Sequence, residues 1–442
     1  MTRPIRSALL AVVVAVAGCG SPGPSATPAW TPAPAPSASP AATPSPALAA
    51  TLAPAPASGP GNLRWVTVGQ LQSTGLRVPL DDADPAAGTV TLSIVRRLAP
   101  DPAARIGTLL LNPGGPGGSG VAAIGSMAGS LPAAIRDRFD LVSWDPRGVG
   151  YSDGITCPDR ATIGRVEALD PSPPGAAGLV PFHTVFDDVA AQCQAADGPI
   201  LPYVSEANTA RDMDRIRAAL GEATISYWGY SYGTYLGYLY ATMFPTRLRA
   251  AVLDGPLDPN LDLVGRDDNQ ARGFETALDH ILELCAASAA CPFHGGGDPA
   301  KAFDGLLTRL ERAPLDVPGV GSLGPGEAMT GVITHLYSND AAGLMRALAD
   351  AEGGDGAGLL AAANAYYAVS SLGSYLATMC LDVARPSTPA AIARTLARAR
   401  VAAPRFAALV VLDDAYGCLD WPVPPQPVAV GAPPAGLPPI LV

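Results

Sequence analysis

Charged side chains are scarce in this 442-residue chain, at 15% of residues against 48% apolar. The net charge is −11, and no stretch gathers Lys and Arg into a basic stripe. That excludes nucleic acid as an expected partner, and a mild acid excess over a long surface serves solubility. Histidine is scarcer still, with four residues. None sits near a CxxC pair, so no zinc site is expected, nor any other metal or cofactor. No internal repeat is visible. The apolar run Ala8 to Ala17 is too short to span a bilayer as a permanent helix.

What the N-terminus does contain reads as a targeting segment. Arg3 and Arg6 precede the apolar run, which stops at Val16-Ala17-Gly18-Cys19. Small residues before a cysteine resemble a lipobox, in which Cys19 is lipidated and residues 1–19 form a lipoprotein signal peptide. The alternative is an ordinary secretion signal. Residues 20–61 are almost entirely Ala, Pro, Ser, Thr and Gly. Such a composition buries no core and reads as an extended tether. The expected location is outside the cell, anchored to the membrane through the lipid.

Beyond the tether remain roughly 380 residues, enough for a large domain plus an insertion. Besides Cys19 there are six cysteines: Cys157, Cys193, Cys285, Cys291, Cys380 and Cys418. An even number in an exported chain points to disulfides. The simplest pairing is sequential, 157–193, 285–291 and 380–418. Unpaired buried thiols are the alternative.

Strand and helix patterns alternate through the first part. Arg64 to Gln70, Gly88 to Val95, Thr108 to Leu111, Phe139 to Trp144, Thr224 to Trp228 and Leu248 to Leu253 read as strands. Asn208 to Leu220 and Tyr235 to Phe244 read as helices, closed by Gly221 and Pro245. The alternation predicts an α/β fold, a mostly parallel sheet with helices on both faces. From Asn269 to Arg400 helical patterns dominate, broken by glycines at 295–297 and 353–358. The predicted organisation is a core over 62–262, a helical cap over 263–425, and a return to the core over 426–442. There Ile440-Leu441-Val442 begins a strand after a Pro-rich stretch.

Two motifs carry chemistry. Gly229-Tyr230-Ser231-Tyr232-Gly233 matches G-x-S-x-G, and it lies between a predicted strand and a predicted helix, the context that motif requires. Ser231 is the expected nucleophile, set on a tight turn that the flanking glycines permit. Asn112-Pro113-Gly114-Gly115-Pro116-Gly117-Gly118-Ser119-Gly120 follows an earlier strand. A glycine loop there brings backbone N–H groups to an oxyanion, with Gly115 and Tyr232 as the expected donors. A phosphate loop is excluded because no Lys-Ser/Thr follows and two prolines remove donors. Asp145-Pro146-Arg147-Gly148 reads as a structured turn with Arg147 paired internally. Ser119 and Ser226 lack the elbow.

Together, the elbow Trp228 to Gly237, the glycine loop and Asp145-Pro-Arg-Gly resemble the actinobacterial secreted tripeptidyl aminopeptidases. These are serine peptidases related to prolyl aminopeptidases within the α/β-hydrolase fold. Asp212-Met-Asp214, Leu253-Asp-Gly255 and Cys380-Leu-Asp382 fit the same pattern. The resemblance implies release of short peptides from free N-termini through an acyl-enzyme on Ser231, with the cap reading the α-amino group. Among Asp279, Glu283, Glu327 and Asp382 it leaves the amino-binding carboxylate open. A secreted esterase or lipase on the same fold, or a silent peptide-binding envelope lipoprotein, are the other readings.

The family order is Ser, then acid, then His, both after the strand near Ile440. The sequence ends at Val442, so the Asp and His partners are expected to be absent, the last strand and helix missing, and the chain truncated and inactive. His183, His280, His294 and His335 are weak substitutes for the base. Asp254 and Asp258 occupy a second position where the fold sometimes holds the acid. The targeting reading has its own test. Cys19→Ala is expected to release the protein from the membrane fraction, and unchanged fractionation on immunoblots would refute the lipid anchor.

Overall fold

The computed structural model describes residues 63–442, apart from 172, 174, 176, 368–370, 430, 432 and 433. Cys19, the signal segment and the whole of the tether lie outside the described residues.

The strands are β1 (Val66–Val68), β2 (Leu71–Pro79), β3 (Thr89–Arg97), β4 (Gly107–Asn112), β5 (Phe139–Trp144), β6 (Ile225–Tyr230), β7 (Leu248–Asp254), the short hairpin β8 (Leu315–Val317) and β9 (Gly321–Leu323), and β10 (Ile440–Leu441). Eight of them form one sheet in the order β1-β2-β3-β5-β4-β6-β7-β10. The first three strands pair antiparallel, as do β3 and β5. From β5 through β4, β6 and β7 to β10 every pairing is parallel.

The central strand shows why the sheet is covered on both faces. Every residue of β4 is buried, and successive side chains point to opposite sides. Leu109 and Leu111 pack with Met127 and Leu131 around the helix Gly120–Ser130. Leu110 faces the other way, into the core that holds Met213, Ile216 and Leu236. Those three come from the helices Glu206–Ala219 and Tyr232–Met243.

Two expectations change here. The strand expected over Arg64 to Gln70 is only Val66–Val68, and the longer β2 follows it after the turn at Gly69. Its sequence LQSTGLRVP lacks apolar alternation, and Ser73 and Thr74 are buried. Pairing with β3 along its length, not side-chain pattern, makes it a strand. Gly358, expected in a break, lies inside the helix Ala357–Tyr367.

The segment between β7 and β10 is mainly helical. The helix Ala407–Leu419 packs on Leu263–Ala286, on Pro389–Ala402 and on the core helix Val180–Asp197. The cysteines pair as Cys157–Cys193, Cys285–Cys291 and Cys380–Cys418. None of the described helices is long and apolar enough to cross a membrane.

The Asp145-Pro-Arg-Gly turn is a polar hub. Asp145 is fully buried and accepts from Ser119 Oγ at 2.6 Å, Val121 N at 3.0 Å and Tyr151 N at 2.9 Å. Arg147 donates twice to Asp212, at 2.7 and 2.9 Å, and also to the carbonyls of Leu80, Pro79 and Tyr203. Its side chain and that of Asp212 are 2% and 0% exposed, so neither has water to replace a lost partner. Asp212 would keep Arg215, which donates to its Oδ1 at 2.9 Å, so Arg147→Ala is expected to cost about 3 kcal/mol, the lower end for breaking a buried pair. Urea unfolding measures it, and a loss below about 1 kcal/mol would place the pair among exposed ion pairs.

Candidate active site

Strand β6 ends at Tyr230, and a helix starts at Tyr232. Ser231 between them has φ 50° and ψ −120°. A non-glycine residue with positive φ costs about 1–3 kcal/mol and persists only where its surroundings hold it. Here they do. Ser231 N donates to Asp254 O at the end of β7 at 2.9 Å. Ser231 O accepts from Thr234 N at 2.8 Å and Thr234 Oγ1 at 2.6 Å, and Thr234 Oγ1 in turn accepts from Leu257 N. Tyr227 Oη donates to Gly233 O at 2.7 Å. A Cβ on Gly229 would collide with that same Gly233 carbonyl, so strand and helix can cross this closely only through glycine.

The glycine loop lies against the elbow. A Cβ at Gly114 would collide with Tyr230 O and sit 3.0 Å from Tyr232 N, and Gly114 itself has φ 81°. Its N–H donates to Asn112 Oδ1 at 2.8 Å. The Gly115 N–H has no hydrogen-bond partner among the described residues. Tyr232 N opens a helix and has no intrahelical acceptor. The structure thus brings Ser231, Tyr232 and the Gly114–Gly115 turn together, with free amide donors beside the serine.

No histidine joins them. Among the described residues Ser231 Oγ has no hydrogen-bond partner. His183 faces Asp420 at 3.0 Å, and His335 faces Asp340 at 3.3 Å. Neither His280 nor His294 bonds to the serine. Asp254 meets the elbow through its backbone carbonyl, and the Asp258 carboxylate accepts from Asn260 within its own loop.

The four carboxylates considered for the amino group fall apart in space. Asp279 pairs with Arg405 at 2.9 Å, Glu283 is exposed, and Glu327 accepts from Gly324 N at 2.9 Å in a helix cap. Asp382 alone lies beneath the elbow. It accepts from Tyr232 Oη at 3.0 Å and from Glu206 N at 3.0 Å. Glu206, which sequence reasoning missed, is buried with Oε2 unpartnered. Burial first, then the Asp382 charge, holds its carboxyl well above the usual range. Arg266 stacks over Tyr235 with its guanidinium carbon 4.8 Å from the ring centre, and its Nε and Nη1 are also unpartnered. A Glu in a first helical turn reads as a cap favoured by the helix dipole, which is why Glu206 drew no attention.

A cavity of about 420 Å³ opens between residues 155–167 and the cap helices. Glu167, Asp413, Asp414, Tyr366, Tyr367 and Tyr375 are among its lining residues. A Cβ on Gly117 would sit 2.8 Å from Tyr375 N, which places this wall against the loop. Tyr375 Oη donates to both Asp414 oxygens, at 2.8 and 2.9 Å. Burial, then the neighbouring Asp414, pushes Asp413 up to about 8. No sequence signal marked these aspartates, because Leu412-Asp-Asp-Ala415 is an ordinary stretch of an amphipathic pattern.

That shift sets a pH dependence. Folded, Asp413 keeps its proton to about pH 8, while the unfolded chain loses it near the ordinary aspartate value of 3.8. Between these limits the native state binds more protons, so stability falls as pH rises from about 4 to about 8. Asp413→Asn should flatten that fall by up to about one proton's slope. Thermal unfolding across this range measures it, and parallel wild-type and variant curves would refute it.

With this geometry in view, comparison with known proteins gives consistent matches. Residues 107–295 match the family described as the alpha/beta hydrolase fold. The chain is 36% identical over 392 residues to the serine protease Hip1 of Mycobacterium tuberculosis, covering 83% of this chain and 74% of that protein. It is 32% identical over 399 residues to the tripeptidyl aminopeptidase of Streptomyces coelicolor, covering 86% and 72%. It is 32% identical over 385 residues to carboxylesterase B of M. tuberculosis, covering 81% and 72%. The chain is a serine hydrolase by descent and belongs to the actinobacterial tripeptidyl aminopeptidase-like family of α/β-hydrolases.

Proposed function

We propose that this protein is an exopeptidase that removes short peptides from free N-termini through an acyl-enzyme on Ser231. The observation that carries the reading is the acid-lined cavity whose wall residue Tyr375 backs onto the glycine loop at Gly117. A peptide lying over Ser231 would project its N-terminus away from the scissile carbonyl, and Asp413 and Asp414 offer carboxyls without a cationic partner where such an end would arrive, whereas Glu167 is paired with Arg160. Burial makes those carboxyls hard to ionise. An incoming ammonium supplies the missing counter-charge, and the tyrosine faces around it suit a cation. At the other end, Ser231 Oγ attacks the carbonyl carbon. The N–H groups of Gly115 and Tyr232 donate to the oxyanion. As the Oγ–C bond forms the peptide C–N bond breaks, and the proton lost by Ser231 Oγ ends on the leaving amine; among the described residues none lies at hydrogen-bond distance from Oγ to relay it.

The protein is further proposed to be exported and held at the membrane by a lipid on Cys19. Three disulfides support an oxidising compartment. An esterase reading draws support from the relative named carboxylesterase B, since the elbow and donors serve acyl esters equally well.

Binding, not turnover, tests the peptide reading directly. Calorimetric titration of the Ser231→Ala chain with a tetrapeptide bearing a free N-terminus should give at least tenfold tighter binding than its N-acetyl form, about 1.4 kcal/mol. Asp414→Asn should erase most of that difference. Equal binding of the two peptides would overturn the reading. Hydrolysis of short acyl esters by the Ser231 form would then favour the esterase.

A further inference from the structure

Away from the elbow, three side chains converge at the surface between the helices Val180–Asp197 and Ala407–Leu419. His183 and Asp187 stand four residues apart, so they share one helix face. Asp420 is the C-cap residue of the second helix. His183 Nε2 lies 3.0 Å from Asp420 Oδ2 and 3.8 Å from Asp187 Oδ1. One donor atom from each of the three residues lies within 4.8 Å of the others. The side chains are 43%, 53% and 51% exposed, which leaves the cluster open to an ion from solvent.

We propose that His183, Asp187 and Asp420 form a divalent transition-metal site, best suited to Zn²⁺, that clips the helix Val180–Asp197 to the C-terminal end of the helix Ala407–Leu419.

The geometry fits the ion. Zinc bound to imidazole nitrogen and carboxylate oxygen at about 2.0–2.2 Å in a tetrahedron sets ligand atoms about 3.3 Å apart. The observed 3.0 and 3.8 Å bracket that spacing. One imidazole and two carboxylates are a ligand set for zinc and its first-row neighbours, and solvent completes the coordination. The charge also fits. Among the described residues, neither aspartate has a lysine or arginine within ion-pair distance. Of the neighbouring charges, Asp188 is paired with Arg165, and Arg385 donates to Trp421 O while feeling the Asp420 charge. The two carboxylates face each other with only a histidine between them.

The positions are also held in advance. The His183 ring packs at 5.8 Å from the Tyr416 ring, and Phe182 packs on the same tyrosine. The Cys380–Cys418 disulfide anchors the chain two residues before Asp420, and Cys157–Cys193 anchors the other helix. A site built on two braced helices loses little freedom on binding the ion.

The test uses the full chain carrying Cys19→Ser, which removes the cysteine outside the three disulfides. Calorimetric titration with Zn²⁺ should show saturable one-to-one uptake and a rise in Tm. His183→Ala and Asp420→Ala should each weaken that uptake by more than about 100-fold, beyond what loss of a mere supporting group costs. His294→Ala should leave it unchanged. Both variant side chains are exposed, so Tm without metal reports whether the fold survived. Absence of saturable uptake, or uptake unchanged in folded His183→Ala, would overturn the proposal.

Discussion

The strained turn at Ser231 is the constraint around which the rest of this structure is arranged. A serine at φ 50° is held there only because β6, β7 and the helix behind it leave the backbone no alternative. Asp254 O takes the serine N–H, and Thr234 takes the serine carbonyl. Gly229 lets strand and helix cross, and Gly233 and Gly114 let the neighbouring loop close on them. The strain has a chemical use. It lifts Oγ off the end of the sheet and leaves the Tyr232 N–H unengaged beside it. The donors are in place before any substrate arrives, which is the condition for strong stabilisation of developing charge.

Beneath and beside that turn the protein buries carboxyls whose ionisation burial opposes. Glu206 and Asp382 lie under Tyr232, and Asp413 and Asp414 line the cap cavity. Burying carboxyls in this way costs stability at neutral pH. Structural carboxylates elsewhere in the molecule are treated differently. Asp145 is satisfied by three donors, and Asp212 by a bidentate arginine. The contrast separates a polar hub whose carboxylates meet several donors or an arginine from Glu206, whose Oε2 has no partner beneath the elbow. Both kinds are buried, and only their partners tell them apart.

Much of this was legible from the chain alone, because the signals were local. An elbow motif needs only a strand, five residues and a helix in succession, and all are contiguous here. The parallel strands announce themselves because both their faces are buried, so Leu109, Leu110 and Leu111 are all apolar. Each disulfide joins cysteines within 38 residues of one another, close enough for neighbours in sequence to be neighbours in space. Strand β2 escaped notice because its partner, not its own pattern, makes it a strand.

The sequence by itself determined the fold class, the nucleophile's turn and the glycine loop that faces it. Short-range sterics decide these, and glycine, proline and apolar period record short-range sterics directly. Tertiary structure alone decided which acids matter. Asp382 reaches Tyr232 across 150 positions of chain, and Asp420 reaches His183 across 237. Asp279, Glu283 and Glu327 were equally plausible on paper but turned to ion pairs, solvent or a helix cap. A carboxylate's role depends on what surrounds it, and for these residues the surroundings arrive only when distant helices pack together.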